Sequence, residues 1–291
     1  MRASRGEKLF YALNYAFLSV LGILCVLPMV HLLALSFSGQ SAVISGHVGL
    51  WPIEWNVESY KLLFKGTRIV PAFWNSILIT VIGSALSILF TILAAYPLSK
   101  KYFIGRRTFT LMIVFTMLFG AGLIPNYLLI KSLGMVNTYW ALWMPGLVSV
   151  YNTLVLKTFF ENIPPELEEA ARMDGCSEVR LVARIFLPLA LPALATLILF
   201  YAVSYWNMFQ NVLIYINAQQ KQNLTVIVQQ MIMNSMLQNV DQYLRPDEAM
   251  QITPESVKSS GVIIMIAPML LVYPFVQRHF VKGVMIGSVK G

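Results

Sequence analysis

Charged side chains make up only 12% of this 291-residue sequence, yet they crowd into one stretch. Glu166, Glu168, Glu169, Arg172, Asp174, Glu178, Arg180 and Arg184 share a short run with small and apolar residues. Carboxylates in such a run can pair with arginines of a partner, and its alanines allow close approach. A second polar grouping lies in "FYAVSYWNMFQNVLIYIN": Tyr201, Ser204, Tyr205, Trp206, Asn207, Gln210 and Asn211, with Ser204, Asn207 and Asn211 at i, i+3 and i+7. Aromatic rings suit the apolar faces of sugars, and amides and hydroxyls suit their rims. The same groups also hydrogen-bond between membrane helices, and both readings stand. Asn126 beside Tyr127, and Tyr151 with Asn152, are further candidates for a polar binding face, followed by Asn75 and Ser76. The three histidines, His31, His47 and His279, lack metal-ligand spacing. Neither a metal site nor a catalytic constellation is expected.

The elements that must carry these groups follow from composition. Hydrophobic residues make up 57% of the chain, and its charged share is about half of the roughly 25% usual in a soluble domain. Such a chain cannot cover a globular surface with polar groups, so its natural solvent is lipid. A spanning helix needs roughly 20 apolar residues. Six stretches qualify, at about 11–37, 71–98, 108–130, 137–157, 187–214 and 260–278. Their apolar runs are continuous rather than alternating, and backbone groups in lipid must be satisfied within the segment, so helices are expected and not a barrel. The predicted fold class is all-α: one polytopic membrane domain over 1–291 with six transmembrane helices. Gly134 and Asn137 leave the start of the fourth span ambiguous.

With the N-terminus placed inside, about twice as many of the 21 Lys and Arg fall on the cytoplasmic side as outside, as short loops prefer. Both termini are then cytoplasmic, as is the charged run at 161–186. The net charge of +8 reads as topology, and nucleic-acid binding is not expected because no basic patch interleaves with exposed aromatics. Residues 215–259 form a long outer loop. The first apolar stretch is too long for a signal peptide and reads as a retained helix. Cys25 and Cys176 fall in different compartments and do not pair.

Within 161–186 the pattern specifies two short helices. Pro164 and Pro165 suit a first helical turn, and Glu166, Glu168 and Glu169 meet the positive end of its dipole. Leu167, Ala170 and Ala171 share one face. Asp174 and Gly175 supply a turn, after which Val179, Val182, Ala183 and Phe186 fall on one face of a second helix. The pair reads either as a docking elbow or as an ordinary loop with a surface helix. There is no G-x-x-x-x-G-K-[ST] phosphate-binding loop in the sequence, and the interiors of the spans carry no Asp, Glu, Lys or Arg. ATP binding by such a loop and proton-coupled transport are therefore not expected.

"EAARMDGCSEVRLVARIFLP" places Glu169, Ala170, Ala171, Gly175, Ile185, Leu187 and Pro188 at the fixed positions of the EAA loop found in permease subunits of bacterial ABC importers. "GLIPNYLLIKSLGMVNTYWALWMPGLVSVYNTLVLKTFF" and "FVKGVMIGSVKG" resemble the carbohydrate branch, the maltose-permease type, and within it importers of complex or acidic oligosaccharides, alginate among them. The resemblance implies the type I importer permease fold in the bacterial cytoplasmic (inner) membrane. It implies that Glu169, Ala170, Ala171, Asp174, Gly175, Ile185, Leu187 and Pro188 couple the chain to an ATPase. The implied partners are a homologous second permease, two ATP-binding subunits, an extracytoplasmic solute-binding protein, the oligosaccharide and the bilayer. ATP and magnesium would be used by the ATPase subunits, with no cofactor in this chain. The loop at 215–259 would reach toward the binding protein, and the tail from Gly283 to Gly291 between the ATPases. The alternatives are an ABC permease for another solute, such as a peptide, or a secondary transporter.

Overall fold

A computed structural model describes residues 5–233 and 253–288. The chain divides into two compact units, one from Met1–Val70 with Val228–Ala267 and one from Pro71–Ile227 with Pro268–Gly291. The fold is helical throughout the described residues.

In the first unit a helix of 32 residues, Arg5–Ser36, opens the chain. At 1.5 Å per residue it is about 48 Å long, well over the roughly 30 Å hydrocarbon thickness. It ends against the small helices Gln40–Ile44 and Glu58–Gly66. Ala34, Ala42 and Val48 bury one another there, and the Tyr60 hydroxyl donates to Ser36 at 2.8 Å.

The second unit is organised along the helix Ile69–Ser99, whose residues from Pro71 onward belong to it. Near Ile79 it meets a core of Leu142, Trp143, Tyr201, Tyr205, Val212 and Tyr215. Near Ala95 it meets a second core of Leu156, Phe160, Leu181, Phe186, Leu194 and Leu197. Each core is an apolar layer that fixes one end of the helix against the elements carrying the candidate site.

Among the described residues, three helices are long and apolar enough to cross a membrane: Gly6–Ser36, Ile69–Ser99 and Pro254–Val272. Two bent pairs raise the number to five if each counts as one span. Arg106–Leu118 and Leu123–Ser132 meet at 114°, so the expected span at 108–130 is broken. The cause is local: Gly122 adopts φ 83 and ψ 175, a region essentially closed to side chains with a Cβ. Glu178–Leu189 and Leu191–Trp206 meet at 85°. Pro188 and Pro192 lack the N–H groups that would carry a straight helix through Ala190. The stretch 187–214 breaks again at 207–209, before the short helix Gln210–Tyr215.

The expected span at 137–157 also arrives in pieces. Trp140–Trp143 is followed by a 3-10 turn, Met144–Gly146, and then by the helix Val150–Glu161. Pro145 forbids a regular continuation, and the Ser149 side chain caps the new helix by accepting from the Asn152 N–H. Asn137 sits at φ 63, so the chain turns there instead of starting a span. The outer segment differs from a plain loop as well. Its described part holds the helix Leu224–Ile232, in which Leu224, Val226 and Ile227 are buried. Residues 234–252 of that expected loop lie outside the described residues, as do the last three residues of the expected tail.

Candidate functional site

The charged run folds as a two-helix elbow. Pro165–Met173 starts with proline in its first turn and with Glu166 and Glu168 at its positive end. It stops at Gly175, which turns at φ +71. There the Gly175 N–H donates to the Arg172 carbonyl and the Cys176 N–H to the Ala171 carbonyl, both at 3.0 Å. These bonds form the Schellman closure that occupies the carbonyls left at a helix end. The second limb begins at Glu178–Leu181 and widens to a π-turn over Val182–Phe186. Pro188 has no N–H to offer the Arg184 carbonyl, and a widened turn is the local way to accommodate that loss.

The buried face of this limb is not the expected one. Leu181 and Phe186 are buried, whereas Val179 is 80% exposed. The π-turn shifts the register after Leu181, so the periodicity of a plain α-helix misplaces Val179 and Ala183. On the first limb Leu167, Met173 and Ala170 stay exposed, while Ala171 is half-buried. The elbow therefore presents an apolar outer face with Glu169, Asp174 and Gly175 exposed upon it. Among the residues of the coupling set, Ile185 and Leu187 are half-buried in the Ala95 core and Pro188 is exposed.

The two neighbouring glutamates point to different partners. Glu168 turns inward: Lys100 Nζ lies 2.5 Å from Glu168 Oε2, with the lysine side chain 7% exposed. Arg172 donates to Glu168 Oε1 at 3.0 Å, to Tyr102 at 2.9 Å and to Glu178. Tyr96 donates to the other oxygen of Glu178 at 2.5 Å. The Lys100 ammonium also sits 3.7 Å from the centre of the Phe186 ring, inside a trio of edge-to-face rings formed by Tyr96, Phe160 and Phe186. Hydrogen bonds to Glu168 and Glu178 hold Arg172 further above its already high pKa. The Tyr96 hydroxyl is the main reason that the Glu178 carboxyl sits below its usual value, with Arg172 adding to the effect. Glu169 makes no ion pair among the described residues and is left free on the surface.

A cleft of about 460 Å³ brings together Asn152, Tyr201, Ser204, Tyr205 and Asn211 with Ser149, Phe200 and Met208. Two of these expected path residues have their hydroxyls engaged elsewhere. The Tyr201 hydroxyl is 2.6 Å from Thr91 Oγ1 and accepts from the Ser149 N–H at 3.0 Å. The Tyr205 hydroxyl is 2.9 Å from Ser87 Oγ. Both bonds are buried and join helices. The Tyr205 ring lies against Gly83, where an added Cβ would stand 2.9 Å from three ring carbons. Trp206 is buried and packs edge-to-face on Phe73. Asn207 turns back on its own helix, donating to the Val203 carbonyl at 3.0 Å. Tyr151 faces Phe200 at 6.5 Å. Gln210 and Asn126 are exposed and outside the cleft lining.

Asn75 and Ser76 serve the fold. Asn75 donates to the carbonyls of Gln220 and Gln222 at 2.8 and 2.9 Å, and Ser76 accepts from the Leu224 N–H at 2.8 Å. Asn137 receives the Ala218 N–H at 2.9 Å, and its carbonyl accepts from Lys221 at 2.9 Å. Asn223 is fully buried, donates to the Met208 carbonyl and accepts from the Val226 N–H at 3.1 Å, so it caps the helix Leu224–Ile232. Sequence reasoning missed Lys100, Tyr96 and Tyr102 as members of the elbow site. A lysine ending an otherwise apolar helix reads as an inside-facing loop charge, and nothing local shows that it turns inward.

The family described as binding-protein-dependent transport system inner membrane component matches residues 8–286. The polygalacturonan/rhamnogalacturonan transport system permease protein YtcP of Bacillus subtilis (strain 168) is 40% identical over 290 residues, covering 98% of this chain and 99% of that protein. Protein LplC of the same organism is 38% identical over 294 residues, covering 100% of this chain and 98% of its own length. Among solved structures, a chain in the crystal structure of a bacterial ABC transporter involved in the import of the acidic polysaccharide alginate superposes with a TM-score of 0.87. It is 30% identical, and the match covers 96% of this chain and 99% of that one.

Proposed function

We propose a role for this chain from one premise: it belongs to the family of binding-protein-dependent transport system inner membrane components. It is the membrane-spanning permease subunit of an ABC importer that carries an oligosaccharide, of an acidic polysaccharide class, into the cytoplasm by alternating access. The observation that carries this reading is the end-to-end likeness to YtcP, 98% of one chain against 99% of the other. A secondary transporter or a peptide permease has no comparable support.

The whole chain works as one permease domain with both termini in the cytoplasm, beside a homologous second permease. A solute-binding protein delivers the sugar from outside. Two ATP-binding subunits hydrolyse ATP with magnesium, and this chain catalyses no covalent step. The elbow seats its exposed face, Leu167, Glu169, Ala170, Met173 and Val179, in a groove of one ATPase subunit. Free Glu169 offers a carboxylate to an arginine of that groove, a charge-assisted pair. Closure of the ATPases displaces the elbow, and the helices packed on it reorient. Asn152, Ser204 and Asn211 in the cleft offer the amide and hydroxyl groups for sugar rims, and Phe200 offers a ring face.

Glu169→Lys in the assembled importer tests the docking. We expect at least a tenfold loss of ATPase activity stimulated by the loaded binding protein, because a buried charge pair becomes a repulsion worth about 2 kcal/mol or more. Galacturonan oligosaccharides are the first substrates to try. Unchanged stimulation would remove the elbow from the coupling path.

A further inference from the structure

The elbow has two covalent connections, through Val150–Glu161 on one side and through Leu191–Trp206 on the other. It has a third connection through space. Tyr96 donates to one oxygen of Glu178, and Arg172 donates to the other. Arg172 then donates to one oxygen of Glu168, and Lys100 to the other. Lys100 lies 4.7 Å from the centre of the Tyr96 ring, which closes the circuit. Each carboxylate uses one oxygen on each side, and Arg172 reaches Glu168 Oε1 through both Nε and a terminal nitrogen. Both limbs of the elbow are thereby clamped to a single end of the Ile69–Ser99 helix.

The rest of that helix is bonded along its length. Thr91 meets Tyr201 and Ser87 meets Tyr205 in buried hydroxyl pairs. The Ile79 carbonyl accepts from the Trp143 indole at 3.2 Å. Asn75 and Ser76 hold the segment at 220–224. From Lys100 to Asn75 is about 37 Å at 1.5 Å per residue. A rigid rod clamped at one end and hydrogen-bonded along its side and at its far end transmits displacement without needing any chain of loose side chains.

We infer that Lys100, Tyr96 and Arg172 are positioning residues that pass elbow displacement directly to the Ile69–Ser99 helix, and through it to the cleft and to the segment at 220–224. The inference rests on the docking reading above. Glue alone would not need the charge. Burying an ion pair is expensive, and a well-packed apolar pair in the same ring trio would hold at least as firmly. What the charges add is a fixed geometry, because each hydrogen bond has a direction that apolar contact lacks.

The test uses the assembled importer in lipid nanodiscs with Ser204→Cys as reporter, Cys25 and Cys176 replaced by serine, and a maleimide as the labelling probe. Trapping the ATPases with ADP and vanadate should change the labelling rate of position 204 about fivefold in the parent, a scale set by a shift between two discrete arrangements. Lys100→Met, which keeps the volume and leaves Glu168 paired with Arg172, should cut the change to less than about twofold, and Lys100→Arg should restore it. A full change in Lys100→Met overturns the inference, and so does a failure of Lys100→Arg to restore it while the complex stays assembled. Should Lys100→Met not assemble, Tyr96→Phe removes one oxygen from the same circuit and is read the same way. Glu169→Lys separates the two claims: a complex with that change that still responds to trapping defeats the docking reading, whereas a response lost there but kept in Lys100→Met defeats only the clamp.

Discussion

Gly175 turns the chain at φ +71 in open space, with nothing within 4 Å of where a Cβ would sit. Any cost of substitution there is therefore backbone strain alone, roughly 1–2 kcal/mol for a residue forced into that region. Gly175→Val should lower the melting temperature of the assembled importer by a few degrees, and Gly175→Asn by less, because asparagine tolerates the left-handed region. Glu178 supports a pH prediction. Its carboxyl is held below its ordinary value, chiefly by the Tyr96 hydroxyl. A carboxylate of that kind stabilises the fold above the ordinary carboxylate range, and the contribution is lost as pH falls through the folded value. Because its side chain is 50% exposed, solvent screening keeps the effect under about 1 kcal/mol. Melting followed from neutral into the carboxylate range should show a decline that Glu178→Gln flattens. At this scale the motif picked out Glu169, but nothing in the sequence showed that neighbouring Glu168 turns inward to Lys100. Adjacent helical residues point about 100° apart, and which one faces inward depends on Lys100, far away in the chain.

Helices pack as closely as their smallest residues allow, and Gly83 sets that distance for the Tyr205 ring. Gly83→Ala should push a flat, rigid ring out of place and break the bond between Ser87 and Tyr205, costing about 1–3 kcal/mol as overpacking does. Tyr205→Phe should not rescue it, because the ring stays; Tyr205→Leu should. Melting of the single and double variants decides between these outcomes. The helical class, the elbow and its glycine turn were legible in the sequence, since an apolar run and a charged break leave little choice. The interruptions were not. A run such as 108–130 satisfies the length of a span whether or not Gly122 bends it. Likewise the amides at 217–230 look like loop material until Asn75, Ser76 and Asn137 are seen to bind that segment's backbone. The path residues Tyr201 and Tyr205 show the same limit: hydroxyls at helical spacing fit a sugar or a neighbouring helix equally well, and nothing local in the sequence shows that Thr91 and Ser87 bond them.

The described residues leave much apolar surface uncovered. None of the 13 residues of Arg106–Leu118 is buried, and the sequence pattern places that surface in lipid or against a partner. With the elbow in the cytoplasm, single cysteines at Lys101 and at His47 should label from opposite sides of a sealed vesicle, the first only from inside. Labelling of both from one side would overturn the proposed topology. The opening helix, Gly6–Ser36, goes furthest, with 6% of its most apolar window buried inside the chain. A rod that touches so little of the other described residues can settle in the bilayer before the later helices have folded. Its insertion then sets no deadline for the rest, and its free flank stays available for a neighbour that arrives after synthesis is over.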